Sequence, residues 1–133
     1  EYLTIAGFAF FIVAILSIVY FQYNEDSQYR IITSQVDRIV RKLADTAEET
    51  YFLGPPTRTT IKIYMPSRID SVTIGNKEIN FRVYTGSGFT DIEQVVGVNV
   101  SGNISSSQGI KYVEVIAQQN RVCIVEEGQP ECN

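Results

Sequence analysis

The sequence predicts an α+β fold: one long N-terminal α-helix, apolar in its first half and amphipathic in its second, packed on a small antiparallel β-sheet domain. Two observations carry this. Up to residue 53 the apolar residues run without a proline and then settle into a helical period, whereas from Thr57 they alternate with period two. Between the two patterns stand Gly54, Pro55 and Pro56, a cap and a break. A length of 133 residues holds one domain and an appendage, little more. The expected divisions are 1–23, a hydrophobic helix; 24–53, its amphipathic continuation; and 54–133, a β head domain ending in a disulfide loop.

The first element is membrane-length. Tyr2 to Phe21 holds no charge, no proline and one glycine. At about 1.5 Å per residue this stretch spans roughly the 30 Å of a bilayer core. It is apolar all round, so water is not its solvent on any side. A cleaved secretory signal would carry a basic n-region and a shorter apolar core, and the pattern here predicts a retained helix instead. Glu1 abuts the run. It either complements the helix macrodipole or enters an apolar environment and requires a cation there.

The second element continues the first. Ile32, Val36, Ile39, Val40, Leu43, Ala47 and Tyr51 recur at steps of three or four, one face of a helix. Asp37–Arg41 and Arg41–Asp45 stand at i,i+4 spacing. A single helix from about residue 2 to 53 would be about 80 Å long. Its second half can pack on a small domain; its first half finds no complementary surface in the chain.

The rest reads as five or six short antiparallel strands: 60–65, 71–74, 79–84, 93–100, 109–117 and 121–125. Gly75-Asn76-Lys77 and Gln118-Gln119-Asn120 are the expected turns. The loop 85–88 and the stretch 101–107 are expected to be flexible and exposed. Cys123 and Cys132 enclose a short segment containing Gly128 and Pro130; they form either an extracytoplasmic disulfide or two half-buried thiols. Asn99-Val100-Ser101 and Asn103-Ile104-Ser105 are N-glycosylation sequons, so Asn99 and Asn103 are either glycan acceptors or ordinary loop residues.

Composition narrows function. The net charge is −4, against the basic stripe that nucleic-acid binding uses, so no nucleic-acid partner is expected. There is no histidine, which removes the commonest general base and most zinc sites. No Walker lysine or phosphate-cradling glycine loop is present. Glu48 and Glu49 read as solvating a helix, and Glu126, Glu127 and Glu131 as a solvated turn or a weak cation site. No catalytic residue, metal or cofactor is expected, and the protein reads as structural rather than enzymatic.

An opening Glu1-Tyr2-Leu3, a Phe/Ile/Val/Ala-rich run, an amphipathic half-helix and then a β-domain resemble the type IV pilins, in particular the archaeal pilins whose precursors carry a class III signal peptide. The segments GNKEINFRV and YVEVIAQQNRVCI are similar to hairpins of their head domains. Members of that group carry a short basic leader and a few mature residues ahead of the matching Glu; this sequence opens at Glu1. The resemblance implies an extracellular filament polymerised through the N-terminal helix, serving surface adhesion, with the unassembled subunit held in the cytoplasmic membrane. It implies as partners further copies of the chain, a prepilin peptidase and pilus assembly machinery, with surface glycans. It also implies that Glu1 compensates a neighbouring subunit's N-terminal charge. With the all-round apolar surface, it assigns Leu3, Ile5, Phe8, Phe11, Ile12, Ile15, Leu16, Val19 and Tyr20 to the filament core, and Ala6, Gly7, Ala14 and Ser17 to close helix approach. Three other readings share the helix: a single-pass membrane protein with an external ligand-binding domain, a minor pilin or pseudopilin, and an archaeal flagellar subunit. Head domains of the last are usually larger, which favours a pilus.

Overall fold

The computed structural model describes residues 1–132, with the side chains of residues 25–28 outside that description. One helix, α1 (Tyr2–Leu53), is followed by seven strands: β1 (Arg58–Met65), β2 (Ile69–Gly75), β3 (Glu78–Tyr84), β4 (Phe89–Val95), β5 (Val100–Asn103), β6 (Gly109–Ala117) and β7 (Val122–Glu126). The chain divides into two compact units, Glu1–Ile31 and Ile32–Asn133. α1 ends as its sequence requires. Gly54 takes φ +81°, the left-handed conformation of a helix C-cap, and its N–H bonds the Tyr51 carbonyl at 3.1 Å.

In the second unit, residues 32–53 of α1 lie on one face of the sheet. Val36, Val40, Leu43, Ala44 and Ala47 are buried there against Ile63, Met65, Ile79, Phe81, Val83, Val113, Val115, Val122 and Ile124. Removing a large apolar side chain of this kind from water contributes roughly 1.5–3 kcal/mol. The stripe is that of the sequence reading, with Ala44 and Thr50 added; Thr50 Oγ1 donates to Thr59 Oγ1 at 3.2 Å. Asp37 and Arg41 form their i,i+4 pair at 3.1 Å.

The sheet order is β1-β6-β7-β5-β2-β3-β4. All pairs are antiparallel except β5 with β7. The β2–β3 turn consists of Asn76 and Lys77, both left-handed (φ +52° and +66°), as a two-residue hairpin of matching twist requires. At the β6–β7 turn, Gln118 N–H bonds the Arg121 carbonyl at 2.9 Å.

Three sequence expectations are corrected in this region. The run 93–100 is not one strand: it divides into the end of β4, a crossover, and the start of β5. The alternation is real, since Val96, Val98 and Val100 are all buried. What residues 96–97 lack is a neighbouring strand. Val96 N–H goes to the Lys77 carbonyl at 2.8 Å, and Gly97 N–H to Glu48 Oε1 at 2.8 Å. Glu48 therefore holds the crossover to the helix rather than solvating it. Residues 101–103, expected as loop, belong to β5, whose register sets Gly102 opposite Ile124. At Gly102 (φ +151°) a Cβ would lie 1.8 Å from the Ile124 carbonyl oxygen, so only glycine permits this close parallel pairing.

Candidate assembly surface

The first unit has an unusual surface for a protein. Every residue from Glu1 to Asn24 is exposed. That includes all of the expected core positions: Leu3 is 89% exposed and Phe11 62%, and even the least exposed, Ile12 and Ile15, stand at 42% and 45%. Ile5, Phe8, Leu16, Val19 and Tyr20 are exposed with them. At 100° per residue most of these positions share one half of the circumference, and Phe10, Val13, Ile18 and Phe21, exposed as well, cover the other half, so the apolar surface runs all round the helix. By length and composition, this helix is able to cross a membrane, and none of the qualifying apolar window is buried.

The backbone and one side-chain hydroxyl of the segment find their partners within the helix. The helical backbone satisfies its own N–H and C=O groups. Ser17 Oγ donates to the Val13 carbonyl at 2.8 Å, so its hydroxyl needs no outside partner. Gly7 has open space where a side chain would stand, leaving a place where another helix can approach closely. Tyr20 and Phe21 meet edge-on, with ring centroids 6.2 Å apart. Glu1 precedes the first turn, its carbonyl accepting Ile5 N–H at 3.3 Å, and its side chain is exposed.

The remaining predicted sites lie on the β head. Cys123 and Cys132 are disulfide-bonded, with Cα atoms 5.7 Å apart. The bridge packs with Ile116 and Val125 in a small second cluster. The tail is tied down by polar contacts as well: Gln118 Nε2 donates to the Cys132 carbonyl at 3.2 Å, and Arg58 pairs with both Glu131 and Glu114. Glu126 accepts from Lys111 Nζ at 3.2 Å and from Ser105 N–H at 2.6 Å. Glu126 and Glu131 are thus ion-paired rather than solvating a turn: Lys111 reaches Glu126 across the β6–β7 hairpin, and Arg58 reaches Glu131 from β1, far along the chain. Among the described residues, no group of three or more His, Cys, Asp or Glu side chains is placed to hold a metal.

Asn99 and Asn103 are both exposed. The loop 85–88 is tighter than expected, since Thr85 N–H and Oγ1 both bond the Gly88 carbonyl, at 2.8 and 3.0 Å. It presents an exposed aromatic pair, Tyr84 and Phe89, with ring centroids 5.6 Å apart. Arg82 lies 5.7 Å from the Phe89 ring centre and bonds Asp91 at 3.1 Å. The hydrogen bond and charge of Asp91 raise the Arg82 pKa above its ordinary value.

Comparison with known protein families, with curated proteins and with solved structures found no match.

Proposed function

We propose that this chain is the structural subunit of an extracellular filament of the type IV pilus kind, polymerised through its N-terminal helix. The observation that carries the proposal is the contrast within α1. Residues 36–47 bury their apolar stripe under the chain's own sheet, while residues 2–23 expose apolar side chains all round. A surface of that sort is stable only in lipid or among other apolar helices.

The mechanism uses both environments in turn. The subunit waits in the cytoplasmic membrane with the apolar half in the bilayer, and a prepilin peptidase processes the precursor. Assembly machinery then extracts it, and Leu3, Ile5, Phe8, Phe11, Ile12, Ile15, Leu16, Val19 and Tyr20 exchange lipid for the same residues of neighbouring copies. Glu1 meets a positive charge of the next subunit in that low-dielectric core. The contact is heterologous and does not close, so it propagates as a helix. The β head forms the outer surface, where the Tyr84–Phe89 tip is available for adhesion. The protein performs no catalysis in this account and uses no cofactor.

The test is a charge in the apolar half. Phe11→Asp or Ile15→Asp is expected to abolish filaments on cells, while the head keeps its disulfide and its thermal transition in detergent-solubilised protein. Normal filaments from either variant would contradict the helix-core assignment.

A further inference from the structure

The two sequons begin only four residues apart, at Asn99 and Asn103, and the fold treats them differently. The first is locked in the middle of the sheet. The Asn99 carbonyl accepts Val122 N–H at 2.8 Å, and Val100 and Ser101 stand opposite Val122 and Cys123 in the parallel ladder. Ser101 Oγ is buried with no hydrogen-bond partner. The second sequon begins on the last rung of that ladder, with Asn103 opposite Val125. Asn103 is the last residue of β5 and is exposed, and residues 104–107 pair with no strand. Ser105 is exposed, and its hydroxyl meets only the neighbouring Ser107, 2.9 Å from Oγ to Oγ.

A sequon requires Ser or Thr two positions after the Asn, so the enzyme that modifies it must read that hydroxyl as well as the amide. In the first sequon the hydroxyl is enclosed by the sheet; in the second, both groups face solvent. Beside Asn103 lies an open depression of about 250 Å³, lined by Ser105, Val125, Glu126, Gln129 and Pro130. The exposed Pro130 offers apolar contact to the face of a sugar ring, and Gln129 and Glu126 offer partners for its hydroxyls.

Resting on the reading of the head as extracytoplasmic, we propose that Asn103 is an N-glycosylation site and that Asn99 is not. The donor is an oligosaccharide linked through phosphate to a membrane lipid. Asn103 Nδ2 bonds to the anomeric carbon of the first sugar, and the bond from that carbon to the phosphate oxygen breaks. The electron pair leaves with the lipid phosphate, and the amide gives up one proton to solvent. The first sugar then settles over the depression, bounded by the disulfide-tethered tail.

The experiment uses the full chain recovered from cells that carry an extracytoplasmic oligosaccharyltransferase with its lipid-linked donor. The protein is digested and fragmented in the mass spectrometer so that the modified Asn is localised, and the state of Cys123 and Cys132 is read from the same material. The expected result is a glycan mass on Asn103, retained in full in Asn99→Gln and lost in both Asn103→Gln and Ser105→Ala, with the disulfide formed throughout. A bare Asn103 in protein whose disulfide has formed would overturn the assignment and leave the extracytoplasmic reading standing. Glycan on Asn99, alone or with Asn103, would overturn the selection between the two sequons. Free thiols in protein confined to the cell interior would overturn both the assignment and the reading beneath it.

Discussion

The two halves of α1 are built from the same apolar vocabulary, yet they answer to different solvents. In residues 32–51 the apolar side chains keep to one stripe, and that stripe packs into the sheet; Val36, Leu43 and Ala47 are each 0% exposed. In residues 2–24 they occupy the whole circumference, and all remain exposed. The difference lies in angular distribution more than in hydrophobicity. A stripe can be covered by one neighbouring layer, whereas a full cylinder requires a surrounding medium.

Substitutions should separate the two halves, and the largest effect is expected in the head. At Gly102 any side chain collides with the Ile124 backbone, so Gly102→Val should cost on the order of 4 kcal/mol or more and unfold the head at moderate temperature. Thermal denaturation of detergent-solubilised protein, followed by near-ultraviolet circular dichroism, reads this directly. Leu43→Ala should cost about 2–5 kcal/mol by leaving a cavity under the sheet, in the same assay. The matching truncation in the first half, Phe11→Ala, should leave that transition within about 0.5 kcal/mol of the parent while reducing filament yield. Equal head destabilisation by the two truncations would erase the distinction between the halves.

Smaller effects sharpen the picture of the head. Reducing the Cys123–Cys132 disulfide should lower stability by about 2–3 kcal/mol, because it closes a loop of sequence separation 9, and helix content should barely change. Glu48→Gln keeps an acceptor for Gly97 N–H but removes its charge, with a cost of about 1 kcal/mol by denaturant titration. Asp37→Asn should lie at the bottom of the series, within about 0.5 kcal/mol, since its pair with Arg41 is half exposed.

Local chemistry made much of this fold legible. The helix stripe, its Gly54 cap, the Asn76-Lys77 turn and the alternating runs each follow from residues close together in sequence. What escaped were pairings between distant segments. Val96 and Val98 alternate like strand residues because they do point into the core, but alternation reports burial and is silent about hydrogen-bond partners. The parallel match of β5 to β7, the role of Glu48 in holding Gly97, and the ion pair of Glu131 with Arg58 all join segments that no local pattern connects. The lone internal glycine of Val100-Ser-Gly-Asn was the one signal for the close β5–β7 approach, since glycine inside a strand often marks another backbone nearby. At the candidate assembly surface the situation is reversed. The exposed cylinder was readable in full, because its defining property is the absence of a polar face.

The measurement that tests the central claim most directly is electron microscopy of material sheared from the surface of cells producing this chain, with mass spectrometry to identify the subunit. The account predicts thin filaments composed chiefly of this protein, and none from cells producing the Phe11→Asp variant. Surface material free of filaments, with the protein retained in the membrane fraction, would contradict it.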